Sequence, residues 1–263
     1  MSFYEIGPAD RAVDIVFSHA NGFNARTYLS VLAPVAESLR IVAPDLRGHG
    51  RTDLPAEPAG RTTWLDLRDD LLALLEALDL RDVVLAGHSM GATASLLAAA
   101  EAPHRIRELV LFEPVIMSPG ATGEPAGSPL VQGALKRRAD FPSREAAEAA
   151  YAGRGAFRSW SPQMLKDYVA DGFRDLAEGG VTLAARPAWE HSNYLAQAHD
   201  TRGALSRIAT PLRIFRAEHH STVGLSAEEL ATLKPDARLE TVAGATHFLP
   251  MERPDVVAAA LLR

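Results

Sequence analysis

Ser89 stands between two glycines in Gly87-His88-Ser89-Met90-Gly91. Before it, Asp82 to Ala86 is mostly apolar and β-branched and reads as a buried strand; after it, the small and helix-forming residues from Thr93 to Ala102 read as a packed helix stopped by Pro103. A serine on so sharp a strand-to-helix turn is held in strained backbone geometry, and its flanking positions must lack a bulky Cβ, a demand glycine meets. The turn lifts the hydroxyl above the sheet edge. It also aims the backbone N–H of Met90, at a helix N-terminus that favours negative charge, toward whatever the hydroxyl attacks.

A serine hydroxyl is a weak nucleophile until a base accepts its proton, and that base needs a carboxylate to fix its tautomer and stabilise its charge. His247, in Gly244-Ala245-Thr246-His247-Phe248, is the expected base, since it lies in the loop between the last strand and the last helix. His88, beside the serine on a tight turn, reads as structural, and His19 and His49 as hydrogen-bonding supports in loops near the same face. The carboxylate is left open by the residues alone. The loop Ala217-Glu218-His219-His220-Ser221 offers Glu218. Glu-His-His also suggests a metal, but adjacent histidines rarely ligate one ion and no further ligand stands at the usual spacing, so no metal is expected.

The elements that must position these groups alternate along the chain. Strands are expected at Ser2 to Ile6, Val13 to Ser18, Arg40 to Ala43, Leu109 to Phe112, Pro211 to Arg216 and Arg238 to Val242, besides the one before Ser89. Helices are expected near Tyr28 to Ser38, Thr63 to Leu78, Ala227 to Leu233 and Pro254 to Leu262. Strands alternating with helices imply an α/β fold with a mostly parallel sheet covered on both faces, where ligands bind outside the carboxyl ends of the strands. From Ile116 to about Thr210 the alternation breaks. Helical stretches are expected at Pro129 to Ala139, Ser143 to Ala152 and Pro162 to Leu176, and Phe157, Trp160, Tyr168, Phe173, Trp189 and Tyr194 all fall in the region, which reads as a helical cap inserted between two strands, residues 116–204. The core is then 1–115 and 205–263. Asp45 and Arg47 read as an internal pair bracing their loop, and Lys136-Arg137-Arg138 as a solvated helix face.

Composition narrows the function. A chain of 263 residues with 47% hydrophobic residues suits a soluble globular protein, and no apolar run approaches the roughly 20 residues a membrane span requires. The net charge of −6 without basic blocks argues against a nucleic-acid partner. The absence of cysteine excludes disulfides and thiolate chemistry. Met1 to Asp10 has neither a basic start nor an apolar core, so a cytoplasmic location is expected.

Strand–His19-Ala20-Asn21-Gly22, Asp45-x-Arg47-Gly48-x-Gly50, Gly87-His88-Ser89-Met90-Gly91 and Gly244-x-Thr246-His247 occur in the order found in α/β-hydrolase-fold proteins with a serine nucleophile. The resemblance covers roughly residues 13 to 115 and 205 to 263. In that family the usual acid follows the strand after the insertion, within a Gly-Glu-x-Asp-like run, and here His220 occupies the aspartate's position. Some members, haloalkane dehalogenases among them, carry the acid one strand earlier. By that resemblance Glu113, in Leu111-Phe112-Glu113-Pro114, is the expected acid ahead of Glu218. The resemblance also gives the second oxyanion donor as the N–H of Asn21, beside that of Met90, with Phe23 as a lining residue. The cap is expected to shape the substrate pocket through Phe157, Trp160, Trp189 and Tyr194. The expected activity is cleavage of a small-molecule carboxylic ester through an acyl-serine, without cofactor. Thioester, lactone or carbon–carbon bond hydrolysis and cofactor-free peroxidation share the same triad, and a ligand-binding sensor that retained the triad is the rival from another class.

Overall fold

The structure, a computed structural model, describes residues 1–263. β1 (Phe3–Ile6) and β2 (Ile15–Ser18) lead into α1 (Leu29–Ala36), β3 (Ile41–Pro44) and α2 (Leu65–Ala77). β4 (Val83–His88), α3 (Met90–Glu101) and β5 (Ile106–Phe112) follow. Between β5 and the next strand of the same sheet the chain makes an excursion. It holds α4 (Pro129–Leu135), β6 (Asp140–Phe141), α5 (Arg144–Tyr151), α6 (Pro162–Gly172), β7 (Phe173–Asp175), β8 (Val181–Leu183), α7 (Pro187–Leu195) and α8 (Thr201–Arg207). The sheet resumes with β9 (Leu212–Ala217), and α9 (Ala227–Leu233), β10 (Arg238–Val242), α10 (Leu249–Glu252) and α11 (Pro254–Leu261) complete the chain. No helix is long and apolar enough to cross a membrane.

Seven strands form one sheet in the order β1-β3-β2-β4-β5-β9-β10, parallel throughout except for β1, which pairs antiparallel with β3. The fold class is the expected one. Every residue of β2, β3 and β4 is buried, as a parallel sheet covered on both faces requires. Along β4 the side chains alternate between two cores, Val84 and Ala86 on one face and Val83 and Leu85 on the other. α3 is buried over its first ten residues, from Met90 to Ala99, because α2 and α8 lie against it.

Four expectations need correction. The excursion is not wholly helical: β6, β8 and β7 pair as a three-stranded antiparallel sheet. The helix expected to run to Leu176 ends at Gly172, where Phe173 turns inward to meet Phe141 edge-on, and Gly179 and Gly180, both at positive φ, return the chain into β8. The helix expected over 129–139 ends at Leu135. Asp45 and Arg47 do not pair. Arg47 binds Asp70 of α2 with Nη2 at 2.6 Å, while Asp45 accepts the backbone N–H groups of Ala25 and Arg51.

Candidate active site

The sheet order reverses between β2 and β4, because the chain leaves β2 for β3 on one side and then crosses to β4 on the other. Crevices at such points, beyond the carboxyl ends of the strands, are where open α/β sheets take ligands. Ser18 pairs with Gly87, so the turn after β2 lies beside the turn that carries Ser89. This close approach explains both glycines. A Cβ on Gly87 would come within 2.8 Å of Ser18 O, and one on Gly91 would press still harder on the same carbonyl. Ser89 itself has φ 53° and ψ −120°, a strained conformation for a residue with a side chain.

Five strand ends then deliver the polar groups. Ser89 Oγ lies 3.0 Å from His247 Nε2, and His247 Nδ1 lies 3.0 Å from Glu113 Oε2. Glu113 follows β5 directly, also at positive φ (51°), and is fully buried. Its Oε1 accepts the Ala217 N–H and the Ser221 hydroxyl at 2.6 Å each, and its Oε2 accepts the Thr222 N–H at 3.0 Å. Burial alone would raise its pKa. The hydrogen bond and charge of His247, with Ser221 and the Ala217 amide, outweigh that and hold the carboxyl below its usual range. Glu218 does not meet His247; it is exposed and accepts the Gly244 N–H at 2.8 Å.

The other histidines are held by their partners. His88 Nε2 donates to the backbone carbonyl of His247 at 2.7 Å, and its Nδ1 meets the Tyr28 hydroxyl at 2.7 Å. A carbonyl only accepts, so the proton is on Nε2 and Tyr28 donates to Nδ1. His88 thereby ties the Ser89 turn to the backbone of the His247 loop. His49 Nε2 accepts the Gly22 N–H at 3.0 Å while Nδ1 meets Arg47 O, and His19 Nε2 accepts the Leu46 N–H at 2.9 Å. Burial lowers the pKa of all three, that of His49 to about 4.

The backbone N–H groups of Asn21 and Met90 make no intramolecular hydrogen bond, Met90 being the first residue of α3. The Asn21 side chain is clamped to α7. Its Nδ2 donates to Glu190 O at 3.0 Å and its Oδ1 accepts from Asn193 Nδ2 at 2.8 Å. Asn193 in turn accepts from Arg61 Nη1 at 2.5 Å.

Ser89, His247 and Asn21 open into a cavity of about 540 Å³ between the sheet and the excursion. Phe23, Phe157 and Tyr194 line it. Trp160 and Trp189, expected there, do not. Trp160 stands behind the lining, edge-on to Phe23 at 5.0 Å and to Phe157 at 4.9 Å. Trp189 is 1% exposed and lies under the Arg61 guanidinium, 4.0 Å from its ring centroid, and against Gly48. Helical spacing explains this: Glu190 and Tyr194, four apart on α7, face the cavity, and Trp189 is rotated off that face. The reading of Lys136-Arg137-Arg138 as a solvated face holds for Lys136 and Arg138 only. Arg137 turns in to line the cavity and binds Glu190 Oε2 through Nη1 at 2.7 Å. Burial opposes its charge, but the Tyr168 hydroxyl and Glu190 beside it raise its pKa further. Glu190 and Gln197, also lining residues, carried no motif that would have singled them out.

A seven-stranded sheet of this order, with a serine on the turn after its central strand and a histidine after its last, defines the alpha/beta hydrolases. The sequence profile of the alpha/beta hydrolase family matches residues 15–260, and the chain belongs to that family. Among similar proteins, 2-(acetamidomethylene)succinate hydrolase of Mesorhizobium japonicum is 27% identical over 94% of this chain and 86% of that protein. Haloalkane dehalogenase of Sphingobium indicum is 29% identical over 99% of this chain and 90% of its own length. A solved structure of E-2-(acetamidomethylene)succinate hydrolase superposes with a TM-score of 0.79 at 23% identity, covering 98% of this chain and 92% of that one.

Proposed function

We propose that this hydrolase cleaves carboxylic esters of small or medium-sized organic molecules through an acyl-serine intermediate. The observation that carries the reading is the continuous hydrogen-bonded line from Ser89 Oγ through His247 to Glu113, with links of 3.0 Å, opening into the cavity. Ser89 Oγ attacks the ester carbonyl carbon as its proton passes to His247 Nε2. Glu113 accepts the Nδ1–H of His247, fixing its tautomer and stabilising the imidazolium that forms. The N–H groups of Met90 and Asn21 receive the developing oxyanion, a donor of this kind contributing on the order of 3 kcal/mol. The intermediate collapses, His247 returns the proton to the departing alcohol, and an acyl-serine remains. Water, deprotonated by His247, attacks that acyl group, releasing the acid and restoring Ser89. Each step uses only these side chains, two backbone N–H groups and water. Serine at this turn argues against haloalkane and epoxide chemistry, which the family resemblance links to an aspartate at that position.

The test is labelling by a fluorophosphonate together with turnover of short-chain nitrophenyl esters, thioesters and lactones, with Ser89→Ala as the blank. Stoichiometric labelling of Ser89 and fastest turnover of an ester are expected. Labelling without turnover of any member of that panel would favour a ligand-binding protein instead, and a thioester or lactone turned over well ahead of every ester would move the assignment to that bond.

A further inference from the structure

The cavity that receives the acyl-serine substrate contains a second polar feature that the hydrolytic steps do not use. Arg137 and Glu190 form an ion pair inside it, their side chains 17% and 10% exposed. Arg137 is the one lysine or arginine lining the cavity, against two carboxylates, Glu190 and Glu124. Its Nη1 is taken by Glu190, and its Nη2 by the hydroxyls of Tyr168 and Tyr151; its Nε makes no hydrogen bond. Glu190 Oε1 likewise accepts none, and its carboxylate stands against Gly22, where an added Cβ would come within 2.9 Å of it. The pair therefore lies beside the Asn21–Gly22 turn. It keeps unpaired N–H donors on Arg137 Nε and Nη1 and an unpaired acceptor at Glu190 Oε1, and its charges cancel. The amide oxygen of Gln197, a lining residue 4% exposed, also lacks a partner.

We infer that the Arg137–Glu190 pair selects substrates whose distal end carries a neutral group able both to donate and to accept a hydrogen bond, a carboxamide or hydroxyl, and that it rejects a carboxylate at that position. This deepens the acyl-serine reading by naming the substrate class of its pocket. The physical reason is charge balance. A lone buried guanidinium would attract an anion, but here its charge is already matched by Glu190, so a substrate carboxylate would enter as a second anion sharing one cation in a poorly solvated site. A carboxamide brings no charge; it accepts from Arg137 Nε and donates to Glu190 Oε1 or Gln197 Oε1. Glu190 thus sets the sign of the selectivity, and Arg137 supplies the donor.

The experiment is calorimetric binding to the Ser89→Ala protein, which needs no turnover. The ligands are two isosteric pairs of methyl esters: methyl succinamate against monomethyl succinate, and methyl glutaramate against monomethyl glutarate. In at least one pair the carboxamide is expected to bind about tenfold tighter or more, the scale of one unfavourable charge contact in a partly buried site. Adding Glu190→Gln, which keeps the shape and removes the negative charge, is expected to shift that ratio toward the carboxylate by about tenfold or more. Circular dichroism and the melting midpoint establish that the doubly substituted protein is folded. Tighter binding of the carboxylates by the Ser89→Ala protein, or a ratio that Glu190→Gln leaves unmoved, would overturn the inference. Failure of the wild-type chain to hydrolyse any ester would count against the acyl-serine reading alone.

Discussion

Glu113 reconciles two opposed demands. A carboxylate beside an imidazole must stay ionised, and burial resists ionisation. Three donors besides His247, the Ala217 and Thr222 amides and the Ser221 hydroxyl, offset that resistance, two of them from the loop directly after β9. Replacing the carboxylate by an amide leaves the geometry but lets the side chain donate to His247, which favours the wrong tautomer. Glu113→Gln is therefore expected to lower kcat/KM for a nitrophenyl ester by roughly a thousandfold or more, on the scale of such triad replacements. Glu218→Gln, which removes an exposed charge and keeps an amide oxygen to accept the Gly244 N–H, is expected to change it less than about threefold, as surface substitutions do. Comparable losses in both variants would remove Glu113 from its role. At this scale the residues around Ser89 and His247 were readable because a turn that tight restricts its own sequence. Arg137 was not, since Lys136, Arg137 and Arg138 are alike in composition and only the end of α4 at Leu135 decides which of them turns inward.

At the scale of elements, α7 does more than wall the cavity. It grips the Asn21 side chain from both sides, through Glu190 O and Asn193 Nδ2, and so fixes the orientation of the peptide whose N–H the proposed mechanism assigns to the oxyanion. An N–H that must receive developing charge is useful only if it is held in place beforehand. Asn193 is buried and does not line the cavity, so it acts through Asn21 as a positioning residue. Asn193→Asp keeps an acceptor for Arg61 but loses the donor to Asn21. Steady-state kinetics with a nitrophenyl ester are expected to show kcat reduced about tenfold with KM within about twofold, the pattern of an interaction made in the transition state. An unchanged kcat would show that the turn holds itself. The alternation of strands and helices in the sheet was legible because each element has to present one apolar face or be apolar throughout. The excursion was less so. Its short strands β6, β7 and β8 have two or three residues each, too few to establish a period of two, although the Gly179-Gly180 return was a hairpin signal in plain view.

Over the whole molecule the feature with the widest consequence is the number of neutral histidines built into the interior. His19, His49 and His88 brace the turns around Ser89, and His199 stacks on Trp64 at 4.9 Å while its Nδ1 accepts the Trp64 N–H. Burial lowers the pKa of each, to about 4 for His49 and His199 against 6.5 in a solvated chain. Below pH 6.5 the unfolded chain therefore takes up protons that the folded chain refuses. Stability from these groups is complete above that value and falls with pH, and for His49 and His199 the fall stops once the folded groups themselves protonate near 4. At about pH 5 His49 and His199 have each surrendered about 2 kcal/mol. The urea midpoint of the wild-type chain is accordingly expected to fall substantially between about pH 7 and pH 5. His199→Gln retains an acceptor for the Trp64 amide and cannot titrate. It is expected to unfold at lower urea than wild type near neutrality and to lose less on acidification, so that the two curves converge toward pH 5. Parallel curves would mean that His199 is protonated in the fold as readily as in the unfolded chain, and that the packing around Trp64 is wetter than its burial implies.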